Sequence, residues 1–290
     1  MINNLISSLI QVKYIFISLW LLLLIIVPLS INELLDYCSF LFLGMAGAIF
    51  ANSTGAGGGV IFIPAFNHLG FTETQAIATS FAIQCFGMTA GAITWYRYYR
   101  IEKLSSPSWE NFNLIILLCS LCSVIGLWYV YGTVLEAPAS LHFNFSWFSF
   151  ILGISIFAYV LFLKEGEVNS KLLIFDWLAL VCISLFGGAI TAWLSVGVGE
   201  LVAIYLIVRR FEVTLAVSVA VVVSAITVWA GVWQHLVIDF QIYWQVLLFA
   251  GPGAVVGGIL AKTLVNYLSV MRLKLFFAFW LVLIGFVGIV

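Results

Sequence analysis

Charge is what this sequence has least of. Lys, Arg, Asp and Glu make up 8% of its 290 residues, where a soluble domain carries about 25%. Apolar residues reach 64%, against a usual ~45–50%. Too little polar surface is available to cover a soluble core, which excludes a cytosolic enzyme and a disordered chain. The net charge of −1 leaves no basic field for phosphate, so a nucleic-acid partner is excluded. The five cysteines are an odd number and all lie in or beside apolar runs, which argues against a secreted disulfide framework. Cys119 and Cys122 form a CxxC, but with no second pair and no nearby histidine, so small packing residues are the simpler reading. No His, Asp and Glu cluster has metal or acid–base spacing, so no enzyme, metal or cofactor is expected. No linker is long or Pro/Ser-rich enough to separate soluble domains.

Long apolar runs fill the space that charge leaves. A span takes about 20 residues plus a loop, so the length allows about nine or ten passes. Hydropathy and breakers predict helices near 14–29, 34–52, 73–96, 112–131, 145–163, 172–194, 212–235, 242–261 and 273–290, with short runs at 60–67 and 201–208. The run after Lys13 has the core of a signal peptide but no small-residue cleavage site after it, so a retained first helix is expected. The organisation expected is one all-α polytopic membrane domain in three parts: an N-terminal helix (1–30), a first repeat (31–165) and a second (166–290).

Each short run is too short to cross a ~30 Å hydrocarbon core. Each follows a glycine-rich break, NSTGAGGG from Asn52 to Gly59 and SVGVGE from Ser195 to Glu200. Non-helical backbone at membrane depth persists only when buried in protein or facing a wet cavity. The halves resemble each other: Ser53, Gly55, Gly57 and Gly58 match Ser195, Gly197, Gly199 and Glu200. After a small deletion, Ala76 matches Ala216 and Ala90-Gly91 matches Ala230-Gly231. This reads as an internal duplication of a broken-helix unit. With a cytoplasmic N-terminus, Lys13, Arg97, Arg100, Lys103, Lys164, Lys171, Arg209, Arg210, Lys262, Arg272 and Lys274 all fall inside, as the positive-inside rule requires. Five helical elements per repeat is an odd number, so the two repeats are expected to be inverted.

Paired discontinuous helices in inverted repeats place a substrate site near the bilayer midplane. A half-helix starting there presents unpaired N–H groups and a positive dipole end, an anion site without a buried lysine. The residues that fit are Gly55, Gly57, Gly58, Gly59, Gly197 and Gly199 for backbone donors, with Ser53, Thr54, Thr79, Ser80, Ser195 and Ser218 for hydroxyls and Asn52 and Gln84 for amides. Each has a plainer reading: glycine as a packing surface, serine and threonine bonded to their own helix. Glu200 is an ionisable residue beside a break. It either couples protons or gates, or caps the short helix that follows through the dipole. The many tryptophans read as interface anchors and packing.

The stretch from Gly47 to Pro64 (GxxxxNSxGxGGGxxxxP), the AxATS from Ala76 to Ser80 and the SxGxGE from Ser195 to Glu200 resemble the TauE/SafE sulfite-exporter family, also called the toluene-sulfonate uptake permeases. The resemblance runs from about residue 40 to the end. It implies transport of sulfite, thiosulfate or an organosulfonate across a bacterial cytoplasmic (inner) membrane; the paired repeats around a midplane site lead to alternating access as the expected mechanism. The second repeat has no proline equivalent to Pro64 and carries Val219-Ala220 in place of Thr79-Ser80, so the first repeat is expected to carry more of the binding. Two rival readings are an anion channel and an intramembrane thiol–disulfide electron carrier. Partners are a small anion and the bilayer; the sequence leaves the oligomeric state open.

Overall fold

A computed structural model describes residues 20, 30–136, 143, 146, 147, 149–151, 153, 154, 157, 158, 169, 171–267 and 270–289. Among these the fold is all-helical. In chain order the α-helices are α1 (Ile31–Thr54), α2 (Gly59–His68), α3 (Glu73–Tyr98), α4 (Phe112–Thr133), α5 (Ile174–Leu194), α6 (Val198–Val208), α7 (Val213–Trp233), α8 (Trp244–Tyr267) and α9 (Val270–Ile289). π-helical turns extend α3 over Tyr99–Lys103 and α7 over Gln234–Asp239. Among the described residues, six helical segments are long and apolar enough to cross a membrane: Asn32–Thr54, Glu73–Lys103, Pro107–Thr133, Ile174–Leu194, Val213–Asp239 and Trp244–Tyr267. The N-terminal helix lies outside the described residues except for Trp20, whose indole N–H donates to Leu248 O (2.7 Å). The helix expected at 145–163 is helical wherever it is described.

Local chemistry sets the ends. Ser30 and Glu33 form a capping box at the start of α1, as do Thr72 and Gln75 at the start of α3, satisfying N–H groups that have no intrahelical acceptor. Asp176 accepts from Leu173 N (2.8 Å) in the first turn of α5. α1, with 24 residues, is about 36 Å long at 1.5 Å per residue, whereas α2 and α6, with 10 and 11 residues, reach only about 15–17 Å.

Close approach of backbones holds the bundle, because lipid is as apolar as the interior and gives no hydrophobic drive to pair helices. α1 packs along α8 and α4 along α5; α3 packs on α7 and α8, and α7 also on α4. Small residues make this possible. A Cβ on Gly253 or Gly257 would overlap the carbonyls of Leu41 or Met45 across the α1–α8 seam. One on Gly126 or Gly188 would overlap Leu185 or Ser123 across α4–α5. Trp95 and Trp109 are fully buried among Tyr98, Tyr99 and Phe112, so these two pack the interior and anchor no interface.

The same backbone geometry recurs 140 residues along. α1 ends with Gly55 in the left-handed region (φ 83°), and α5 ends with Ser195 there (φ 56°). Their N–H groups return to Ala51 and Thr191. Gly70 and Arg210 have positive φ, and Phe71 and Phe211 donate to Phe66 and Leu206. This corrects the alignment of the motifs. The glycine match pairs Ser53 with Ser195, 142 apart, and needs a deletion before Ala76 and Ala216. In the fold, Gly55 is the counterpart of Ser195, and one spacing of 140 runs from the helix ends through Ala90-Gly91 and Ala230-Gly231. Gly57, Gly59 and Val60 thereby correspond to Gly197, Gly199 and Glu200. Letter identity misaligned the breaks because a serine fills, at some conformational cost, the left-handed position that a glycine fills in the first half.

Candidate functional site: two helix breaks in contact

Both breaks lie in the interior and touch. Asn52, Ser53, Thr54, Ser195 and Glu200 are all buried. A Cβ on Gly57 would stand 3.2 Å from Val196 Cα, and one on Gly59 only 2.6 Å from Ser195 O. Gly199 faces Gly55 O and Ser224 Oγ in the same way. Gly197, at φ 147° and ψ −59°, occupies a conformation that a side chain would strain. The N-termini of α2 and α6 therefore meet. Among the described residues, the N–H groups of Gly57, Gly59, Gly197, Gly199 and Glu200 have no acceptor, while Thr191 Oγ1 takes the N–H of Val198 (3.1 Å).

One side chain from α3 ties the breaks together. Gln84 Oε1 accepts from Gly58 N (2.8 Å). Its Nε2 donates to Ser195 O (2.9 Å), Ser195 Oγ (2.8 Å) and Ser80 Oγ (3.1 Å), and Ser195 Oγ donates to Ser80 Oγ (3.0 Å). The residue 140 positions on is Ser224, whose hydroxyl has no hydrogen-bond partner among the described residues. Space beside Gly58 and Gln84 is too narrow for a water molecule. A cavity of about 580 Å³ reaches the breaks from one side, with Gly59, Val60, Pro64, Leu194, Val196 and Trp280 in its lining.

The sequence-selected residues divide. Ser80, Ser195 and Gly57 to Gly59 meet around Gln84, and Gly55, Gly197 and Gly199 form the adjoining backbone. Ser53 bonds Phe50 O (3.1 Å) in its own helix. Asn52 donates to Ala48 O and Gly87 O, and its own carbonyl accepts from Trp95; it joins α1 to α3 away from the second break. Thr79 accepts from Tyr243 N (3.0 Å), at the α8 entry. Glu200 stands in the first turn of α6 with Oε1 unpartnered among the described residues. Gln84, named from the sequence as an amide donor, proves to be the link between the breaks, and Ser224 and Thr191 are the polar residues that sequence reasoning did not single out. The signal was available: polar residues in otherwise apolar helices, with Ser224 placed 140 residues after Gln84.

Away from the breaks, ion pairs join Lys103 to Glu212 (2.8 Å), Arg209 to Asp176 (2.6 Å) and Lys262 to Glu102 (3.5 Å). Segments that the cation pattern assigns to one face do meet. Burial pushes the Glu212 carboxyl up, but hydrogen bonds from Lys103, Thr214 and Trp109 outweigh it and hold it below its usual value. Among the described residues no group of His, Cys, Asp and Glu is arranged to hold a metal ion, and all five cysteines are unpaired.

A helical bundle of membrane-spanning length, with two short helices whose N-termini meet inside it, is the architecture of an integral membrane protein. The chain belongs to the sulfite exporter TauE/SafE family, whose model matches residues 40–287. No curated protein and no solved structure matches it. Membership implies membrane export of sulfite or a related anion.

Proposed function

We propose that the chain is a carrier for a small sulfur-containing anion (sulfite, thiosulfate or an organosulfonate), bound between the two breaks near the bilayer midplane. The observation that carries this reading is the meeting of the α2 and α6 N-termini with N–H groups left without acceptors. Such ends attract an anion through the dipole and directed donors. The recurrence at 140 residues supports two repeats. The cation pattern supports their inversion, with the N-terminus in the cytoplasm of a bacterial cell and the membrane its inner one. Contact between the breaks leaves no room for an anion, so binding requires them to part, and rocking one repeat against the other would expose the site to each side in turn. Gly55, Gly57, Gly58, Gly59, Gly197 and Gly199 supply backbone, Ser80 and Ser195 hydroxyls, and Glu200 senses protons.

The test is thermal denaturation of the purified protein against sulfite, thiosulfate, sulfate, sulfonates and carboxylates. A ligand at 100 times its dissociation constant stabilises by about 2.7 kcal/mol. A sulfur oxyanion should raise the melting temperature and carboxylates should not; no shift with any anion would sink the proposal. Replacing all five cysteines should leave transport intact, and loss of transport from the Cys119/Cys122 pair alone would favour the electron-carrier rival.

A further inference from the structure

We propose that Gln84 is a built-in latch on the anion site, whose carboxamide oxygen takes the place of an anion oxygen while the breaks are shut. The inference rests on the anion reading above and names the residue that regulates that site. Gly58 N–H stands at the start of α2, where an anion would be received, and its acceptor is an uncharged oxygen of the protein itself, Gln84 Oε1 at 2.8 Å. The other end of the same amide donates to Ser195 O and Ser195 Oγ on the opposite break. One planar group thus satisfies a donor of the first break and two acceptors of the second. Gln84 is 2% exposed, so no water competes for these bonds. The device is one-sided: Ser224, the residue 140 positions on, is too short to bridge and leaves its hydroxyl unpartnered among the described residues. An arriving anion must displace the amide oxygen from Gly58, and doing so releases Ser195 as well. Binding and opening are therefore one event. The shut form lowers apparent affinity by the fraction of molecules that are open.

Gln84→Met keeps the side chain's bulk and removes every bond it makes; Gln84→Ala is the second variant should the first fail to fold. Both are made in a full-length background with its native cysteines replaced and Ala56→Cys added as a reporter beside the first break. Maleimide labelling of that cysteine, which replaces a buried alanine, should run faster by on the order of tenfold in either variant. Sulfite should bind with a lower apparent dissociation constant. A purely structural role for Gln84 predicts the opposite, weaker binding together with lower stability. Labelling within twofold of the unmutated latch, or sulfite binding weakened in both variants, would overturn the proposal. Faster labelling with no sulfite binding to any form would leave the latch standing and sink the anion reading instead.

Discussion

Gly59→Ala is the sharpest single perturbation of the contact between the breaks. The added Cβ would stand 2.6 Å from Ser195 O, 3.0 Å from Ser195 C and 3.1 Å from Leu194 O, against 3.4–4 Å for ordinary contact. All three atoms are backbone, so no side chain can swing aside and the breaks must separate by most of an ångström. Overpacking of this kind costs about 1–3 kcal/mol. Gly59 is the first residue of α2, where the helix-interior gain of about 1 kcal/mol for alanine hardly applies, so the net loss should stay close to about 1–3 kcal/mol. Gly132→Ala is the control: among the described residues no atom lies within 4 Å of its added Cβ, which leaves the propensity gain. At roughly 2–4 °C per kcal/mol for chains of 150–250 residues, differential scanning fluorimetry should show Gly59→Ala melting several degrees below wild type and Gly132→Ala at or slightly above it. Equal or higher melting of Gly59→Ala would refute the contact between the breaks.

Glu200→Gln should reduce transport driven by a pH gradient while anion exchange in proteoliposomes survives, because exchange moves no net proton; full pH-driven transport would make Glu200 a helix cap. Glu212→Gln breaks the Lys103 pair and should destabilise the protein by about 1–3 kcal/mol at pH 7. Because the folded Glu212 titrates below its usual 4.5, its contribution is present above that value and lost as pH falls through the folded one. Melting curves followed from about pH 7 down through the acid range should therefore fall less steeply in the variant than in wild type, and an equal fall would refute the assignment. Impermeant labelling of single cysteines should reach positions near Glu136 and Asp239 from outside and those near Arg100 and Lys262 only from inside. All four on one side would end the inverted arrangement.

Hydropathy made the helices legible because each span is a long apolar run and each break a glycine cluster. Observed ends fall within a few residues of the expected ones, apart from α8, which runs on past 261 to Tyr267, and the π-turns that carry α3 to Lys103 and α7 to Asp239. Those turns follow from tertiary packing, of Tyr99 on Trp109 and Phe112 for example, which no local pattern encodes. The breaks were legible as places, and their partners less so. Ser53 and Ser195 look equivalent as letters, yet one bonds its own helix and the other caps it in the left-handed region. Gln84 lies 111 residues from Ser195, and only the pairing of α3 with the second half brings them together.

Counterflow of labelled sulfite into proteoliposomes preloaded with unlabelled sulfite tests the central claim most directly, with wild type compared against Gly58→Leu. Wild type should take up label transiently and saturably. Gly58→Leu should take up none at comparable protein level, because its side chain would fill the space at the start of α2, where a Cβ already meets Phe62 at 2.8 Å and Gln84 at 3.0 Å. Unsaturable flux without counterflow in wild type, or undiminished counterflow in Gly58→Leu, would contradict an anion site built from the two helix breaks.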